Sequence, residues 1–314
     1  MLKLGLIGQS IAQSRAPALH KMLGEIYGIP VAYALHEPAD TSAQAFATTL
    51  RQMREQGYRG TNVTFPYKQL AVAEADSVNT AVARTGATNT LSLGDRVEAY
   101  NTDYTGFIRG YRGRVGELPA GRVLLVGAGG VGRAIAFALF ELGATEVQVF
   151  DLSDDSARSL AAALKAAGYN ATAIGQDRFD EAVRMADGLV NCTPVGHYKT
   201  PGSPVPAELI GRQRWAFDAV YTPLDTEFLI QAHRQGVRIV SGFDLFIYQG
   251  IDAFEIFSGI AVDDPAPLSN ASSSSLRSAV SLSAEAKLLT RLSPGRMLPS
   301  CDSRHALRPA ALFV

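Results

Sequence analysis

The run Gly127-Ala128-Gly129-Gly130-Val131-Gly132 constrains this chain more than any other feature. It follows the apolar stretch 123–126 directly and opens a stretch of helical periodicity through Ala134 and Ala138. A glycine turn between a strand and a helix gathers backbone N–H groups and the positive helix end at one point, with no Cβ to hold a pyrophosphate away. Standing alone, such a run also fits a tight turn that binds nothing. Here the next strand-like run ends Val149-Phe150-Asp151, which places a carboxylate 19 residues after Gly132. That is close to the roughly 20-residue interval at which an acid meets the adenosine ribose hydroxyls. Leu152 and Ser153 follow where a 2′-phosphate would require an arginine, and Asp154 and Asp155 would repel one. NAD is therefore expected, with NADP less favoured. Helix capping is the competing role for Asp151 and more so for Asp154. Arg158 is the one residue whose folding back onto a phosphate would reverse the preference.

Strand-like runs at 123–126, 146–150, 188–192, 215–220 and 237–240 alternate with helix-like stretches at 130–142, 154–167 and 225–234. This reads as a doubly wound parallel sheet of the Rossmann type. Upstream, runs at 2–7, 32–35, 60–63 and 88–93 alternate with helices at 17–27 and 43–56, a second α/β unit. The fold class is α/β, with two domains. An apolar helix at 245–257 is not needed to complete the downstream sheet and is expected to return to the first unit. Beyond residue 263 the composition changes, with Pro265, Pro267 and four consecutive serines at 272–275. Residues 265–314 read as a mobile tail with room for one amphipathic helix at 284–292.

Composition excludes several partners. With Lys+Arg 29 against Asp+Glu 30 the chain lacks the basic footprint of a nucleic-acid or anionic-membrane binder, so a small molecule is the expected partner. Cys192 and Cys301 have neither a disulfide framework nor metal-ligand spacing, and no His/Cys/carboxylate cluster calls for a metal. The N-terminal apolar run turns polar at Gln9, too early for a signal-peptide core. The best candidate span, 123–144, is interrupted by Arg133 and Glu141. A cytoplasmic location is the expectation.

A nicotinamide cofactor needs an alcohol or carbonyl partner and a group that moves the alcohol proton as hydride leaves. The histidines offer no obvious setting. His20, His36 and His233 fall in helices or at a strand end as packing or surface residues, and His305 is in the tail. Only His197 lies near the cofactor end of a strand. Lys68, in Asn62-Val63-Thr64-Phe65-Pro66-Tyr67-Lys68, is the better candidate, at a strand end, turn and helix start whose first turn suits Pro66. Read alone, it is an ordinary solvated lysine.

This segment resembles the N-V-T-x-P-x-K signature of the shikimate/quinate dehydrogenase family. Further matches follow in the family's order: Ser14 in the run 11–17, Gly86-Ala87-Thr88-Asn89-Thr90, Asn101-Thr102-Asp103-Tyr104-Thr105-Gly106, the glycine loop, residues 191–196, Tyr221-Thr222-Pro223 and the run 242–249. The resemblance spans about residues 1–260. It implies a substrate-binding and catalytic domain formed by residues 1–104 and 242–264, a nucleotide-binding domain at 105–241, and an active site in the cleft between them. Lys68 and Asp103 match the catalytic pair, Lys68 relaying the proton and Asp103 orienting it. Asn89, Asp103 and Gln249 would hold ring hydroxyls; Ser14, Thr64 and Tyr221 would face the substrate carboxylate, with Asn62 in the same binding set. The glycine loop, Gly127, Ala128, Gly129, Gly130, Val131 and Gly132, would hold the cofactor with Asp151, Thr193, Pro194, Val195, Val220 and Gly242.

The implied reaction is reversible hydride transfer between shikimate, or a close ring hydroxy acid, and its 3-dehydro form. Ala16 replaces the second serine of the common S-x-S pattern, Asp151-Leu152-Ser153 replaces N-R-T, His197 replaces a frequent methionine, and 243–248 departs from the usual Met-Leu-containing run. These changes also suit a quinate or aminoshikimate dehydrogenase. A regulatory homologue that binds NAD and a hydroxy acid without turnover is the reading from another class, against which Lys68, Asp103, Asn89 and Gln249 together argue. The assembly expected to be compatible with this plan is a homodimer.

Overall fold

Short strand-like runs in the first hundred residues, fully buried in β3 and β5 and alternating only in β6, build a six-stranded sheet. In the computed structural model, which describes residues 1–262, its strands are β1 (Leu2–Ile7), β2 (Val31–His36), β3 (Gly60–Val63), β4 (Ser77–Val78), β5 (Thr90–Leu93) and β6 (Val97–Tyr100). Their order across the sheet is β2-β1-β3-β5-β6-β4. The sheet is mixed: β1 runs parallel to β2 and β3, whereas β5 is antiparallel to both β3 and β6. The reversal is local in origin, because only Gly94, Asp95 and Arg96 separate β5 from β6, too few residues for a parallel crossover.

Helices α1 (Ala16–Ile26), α2 (Ala43–Glu55) and α3 (Thr80–Thr85) belong to this lobe. The Ser42 hydroxyl and Asn79 amide accept the first-turn N–H groups of α2 and α3, which fixes where each begins. Phe46, Leu50 and Met53 of α2 cover one face of the sheet at Ile7, Val63 and Leu91.

The second sheet comprises β7 (Gly121–Val126), β8 (Ala144–Phe150), β9 (Ala171–Ala173), β10 (Gly188–Asn191), β11 (Trp215–Asp218) and β12 (Arg238–Ser241). Its order is β12-β11-β10-β7-β8-β9, every pair parallel. Renumbered from β7, this is the 3-2-1-4-5-6 order of a doubly wound nucleotide-binding sheet, whose switch point lies between β7 and β10. Helices α4 (Thr102–Val115), α5 (Gly130–Glu141), α6 (Asp154–Ala166), α7 (Phe179–Met185), α8 (Glu227–Arg234) and α9 (Gly242–Ser258) complete the order. Both faces of the central strands are buried: Val123, Leu125 and Phe217 beneath α4 and α5, and Leu124, Val126 and Ala216 beneath α7 and α8.

The boundaries expected at 104/105 and 241/242 fall on helices, since Thr105 lies within α4 and Gly242 is the first residue of α9. Helix α4 was hidden by Gly106, Gly110 and Gly113, each unfavourable in a helix by about 1 kcal/mol relative to alanine. Close packing explains Gly106, because a Cβ there would stand 2.6 Å from the Gln249 backbone nitrogen of α9. Helix α9 then reaches the first sheet, where Ala253 and Phe257 pack on Leu4. The expected helix start at Pro66 is instead a turn containing a cis Phe65–Pro66 peptide, and the following helix is a short 3-10 turn, Leu70–Glu74. The expectations for the tail and its helix at 284–292 lie outside the described residues.

Candidate active site

Lys68 leaves β3 through that turn and is almost fully buried, and its Nζ donates to Asp103 Oδ2 at 2.7 Å. The carboxylate belongs to the first turn of α4, whose N-terminal N–H groups favour negative charge there. Asn101 caps that turn by accepting from the Tyr104 N–H at 3.1 Å. An ordinary solvated lysine is therefore not what the fold makes of Lys68. Its aliphatic stem also lies beside Gly130, 3.5 Å from where a Cβ on that glycine would stand, so the pair from the first lobe meets the glycine loop of the second.

Asn89 is fixed beside Asp103. Its Oδ1 accepts from the Thr102 N–H at 2.7 Å and the Thr90 hydroxyl at 3.0 Å, and its Nδ2 donates to the Thr102 hydroxyl at 3.0 Å. Asp103, Tyr221, Phe246, Gln249, Val131 and Gly242 line one cleft. Tyr221 stacks on Phe246 with ring centroids 5.2 Å apart. Burial pushes its phenol pKa up while the nearby Arg15 charge opposes that rise, leaving a neutral hydroxyl at working pH. Gln249 donates from Nε2 to the Phe246 carbonyl at 2.9 Å.

Ser14, Asn62 and Thr64 are not among the residues lining that cleft. Ser14 is half-buried just before α1, its hydroxyl accepting from the Ala16 N–H at 3.3 Å. Thr64 is buried, with its methyl against Gly8. The Asn62 amide is largely engaged: Oδ1 accepts from the Tyr33 hydroxyl at 2.8 Å, and Nδ2 faces the Asn89 carbonyl and the Thr90 hydroxyl. Behind it His20 stacks on Tyr33 at 5.0 Å.

The glycine loop fits a dinucleotide. Gly127 has φ +100°, a region open to glycine, and a Cβ there would come within 2.7 Å of the Cys192 backbone. A Cβ on Gly132 would collide with the Gly127 carbonyl, whereas one on Gly129 would enter open space. Helix α5 begins on Gly129 without a side-chain cap, so its first N–H groups face that space. Asp151, at the end of β8, accepts from the Ala128 N–H at 2.7 Å and the Ser153 N–H at 2.8 Å. The competing capping role falls to Ser153, whose hydroxyl accepts from the Ser156 N–H at 3.3 Å at the start of α6, and each Asp151 carboxylate oxygen keeps a further lone pair for a ribose hydroxyl. Leu152 is 95% exposed, and Arg158 pairs with Asp155 at 2.9 Å and Asp154 at 3.5 Å rather than turning back to the loop.

Thr193 donates from its backbone at 3.0 Å and from its hydroxyl at 2.7 Å to Asn191 Oδ1. Val195 accepts from Asn191 Nδ2 at 2.9 Å, and its N–H donates to the Thr193 hydroxyl at 3.2 Å; Pro194 is exposed between them. Val220 donates its N–H to Asp218 at 3.0 Å, and Gly242 lies against the Ala219 carbonyl. His197 accepts at Nδ1 from the Lys199 N–H at 3.1 Å. Sequence reasoning missed Asp218, Thr226 and Arg15. Asp218 stands three residues before Tyr221 and Arg15 directly after Ser14, so their neighbours were the available signal. Among the described residues no group of three or more His, Cys, Asp or Glu side chains could hold a metal ion, and no helix is long and apolar enough to cross a membrane.

A 3-2-1-4-5-6 parallel sheet with a glycine loop at its switch point, set against a buried lysine–carboxylate pair, defines a two-lobed dinucleotide-dependent oxidoreductase. Residues 6–91 match the family model described as shikimate dehydrogenase substrate binding domain, and residues 99–213 match the alanine dehydrogenase/PNT C-terminal domain. A quinate/shikimate dehydrogenase (NAD(+)) of Corynebacterium efficiens is 36% identical over 266 residues, 83% of this chain and 94% of that protein. A shikimate dehydrogenase (NADP(+)) of Thermus thermophilus is 37% identical over 265 residues, covering 84% and 95% respectively. The structure of quinate dehydrogenase from Corynebacterium glutamicum in complex with NAD superimposes with a TM-score of 0.78 at 34% identity, over 83% of this chain and 95% of that one. The chain belongs to the shikimate/quinate dehydrogenase family.

Proposed function

We propose that the chain is an NAD-linked dehydrogenase that reversibly oxidises shikimate, or a close ring hydroxy acid, to its 3-dehydro form. The observation that carries this reading is the buried Lys68–Asp103 pair, 2.7 Å apart, whose lysine stem lies against Gly130 of the glycine loop. Bound NAD supplies the hydride acceptor. Lys68, acting as the neutral amine, would take the proton of the reacting hydroxyl, and Asp103 would hold the resulting ammonium in place and accept a substrate hydroxyl, so that no full alkoxide charge accumulates. Asn89 and Gln249 bind the ring hydroxyls, while Ser14, Thr64 and Tyr221 bind the carboxylate, with Asn62 fixing the wall behind them. Each hydroxyl that a competing acid lacks leaves one of these polar groups unpaired, which is the physical basis of selection.

Residues 127–132 would hold the cofactor, with Asp151 meeting its ribose and Thr193, Pro194, Val195, Val220 and Gly242 meeting its nicotinamide half. Substrate binding belongs to residues 1–104 and 242–264, and cofactor binding to residues 105–241. Quinate is the second reading, favoured by Ala16, whose methyl removes one hydroxyl from the carboxylate side. A homodimer in the cytoplasm is part of the same proposal and is read by light scattering and cell fractionation.

Steady-state oxidation of shikimate and quinate with NAD and NADP tests the reaction, and Lys68→Ala tests the mechanism. We expect kcat to fall by about 10³-fold with NAD affinity unchanged. Wild-type protein that binds NAD but oxidises neither acid would point to an amino-substituted ring acid or to a sensor.

A further inference from the structure

We infer that Asp218 is a positioning residue, one that joins the loop receiving the nicotinamide half of the cofactor to the turn carrying Tyr221 and sets both in register. The inference rests on the reading above for its substrate arm and on NAD binding alone for its cofactor arm.

Asp218 ends β11, directly opposite Asn191 at the end of β10. It is wholly buried, and its two oxygens draw three donors from three separate segments. Oδ1 accepts from Asn191 Nδ2 at 2.8 Å and from the Val220 N–H at 3.0 Å, while Oδ2 accepts from the Thr226 hydroxyl at 2.6 Å. Each donor leads somewhere different. Asn191 spends the rest of its amide on Thr193 and Val195, so the loop 193–195 hangs from Asp218 through one side chain. Val220 immediately precedes Tyr221, whose ring is held by Phe246. Thr226 caps α8 by accepting from the Leu229 N–H at 3.3 Å.

All three partners are neutral, and no ion pair balances the charge among the described residues. Burial accordingly pushes the Asp218 pKa up to about 6, with the three hydrogen bonds acting against that rise. Capping α8 alone would not require such a group, because Thr226 already caps that helix with its own hydroxyl. What only an acceptor at Oδ1 supplies is a simultaneous hold on the Asn191 amide and the Val220 backbone. Loss of that hold frees two loops at the reacting end of the cleft, where a misplacement of about 1 Å lowers the rate on the order of 10²-fold.

Three variants separate this role from a merely structural one. Asp218→Ala is expected to raise the NAD Kd, measured by titration calorimetry, and the shikimate or quinate KM by about tenfold or more each. Asp218→Asn, whose carbonyl can occupy the Oδ1 position while Thr226 turns to accept, should restore both to within about threefold of wild type. Thr226→Val should lower the thermal midpoint and leave Kd and KM unchanged. If Asp218→Ala does not fold, Asn191→Ala carries the test, raising the NAD Kd while the substrate KM stays at its wild-type value. The inference is overturned if Thr226→Val reproduces the kinetic losses, or if neither the alanine variant of Asp218 nor that of Asn191 moves the NAD Kd. Wild-type protein that binds NAD without oxidising either acid overturns the substrate reading instead, and the NAD Kd values then decide the inference.

Discussion

Lys68 and His20 are both basic side chains taken out of water, and opposite solutions keep them there. Lys68 retains a carboxylate at 2.7 Å, whereas His20 is surrounded by Tyr33, Phe254 and Phe257 with a buried Nδ1 lacking a partner. Burial lowers the His20 pKa from 6.5 to about 4, so the folded protein holds the neutral ring. As pH falls below 6.5 the unfolded chain takes a proton that the folded chain refuses. Stability from this residue is therefore present above 6.5 and is lost as pH falls towards 4, by about 3 kcal/mol at the limit. Urea unfolding of wild type and His20→Phe from pH 7 to 4.5 should show wild-type stability falling relative to that of the variant as the pH drops, and parallel curves would refute the assignment. Cofactor choice is also decided at single residues. Replacing Asp151 and Leu152 by Asn and Arg should shift the NADP-to-NAD ratio of kcat/KM by about 100-fold towards NADP, because a repelling carboxylate gives way to a guanidinium that pairs with the 2′-phosphate.

The glycine loop shows how one element separates folding from binding. Gly132 sits where a Cβ would strike the Gly127 carbonyl, and Gly129 where a Cβ would meet nothing. Gly132→Ala should therefore lower the thermal midpoint and abolish NAD binding together. Gly129→Ala should fold with an unchanged midpoint yet weaken NAD by about tenfold or more, since the methyl group occupies the approach to the α5 N-terminus. Equal loss of stability in both variants, read by calorimetry, would mean that the loop is only a packing feature. The element that the sequence concealed is α4. Its glycines argue locally against a helix, and the reason for Gly106 lies in α9, more than a hundred residues away, whose backbone passes directly over it.

At the scale of the molecule, α4 and α9 form the junction between the two sheets. Arg114 of α4 pairs with Asp244 of α9 at 2.8 Å, and Thr105 and Arg109 both engage Asp252. Further ties cross on the α3 side, where Arg84 pairs with Glu141 at 2.8 Å and Arg133 donates to the Thr85 carbonyl. A junction made of two paired helices permits the sheets to pivot without unfolding either, and substrate and NAD held on opposite walls would draw the cleft shut. Small-angle scattering should give a smaller radius of gyration with NAD and shikimate together than without them, while superimposable profiles would rule out closure.

The glycine loop, Asp151, the strand–helix alternation and the order of motifs around Lys68 were all legible in the amino-acid sequence, because each depends on spacing along one stretch of chain. The mixed first sheet, helix α4 and the Asp218 node were not. Lys68 alone would have passed for a surface lysine, and only folding brings Asp103, 35 residues on, to its ammonium and removes both from water. Asp218 likewise gains its meaning from Asn191, which parallel pairing sets beside it across two strands. Local periodicity and turn chemistry are fixed by neighbours in sequence, so the chain by itself determined most of its strands and helices and its glycine loop. Burial, close helix contact and the partners of a charge depend on residues far apart in sequence, so the tertiary structure alone decided which polar groups became a site.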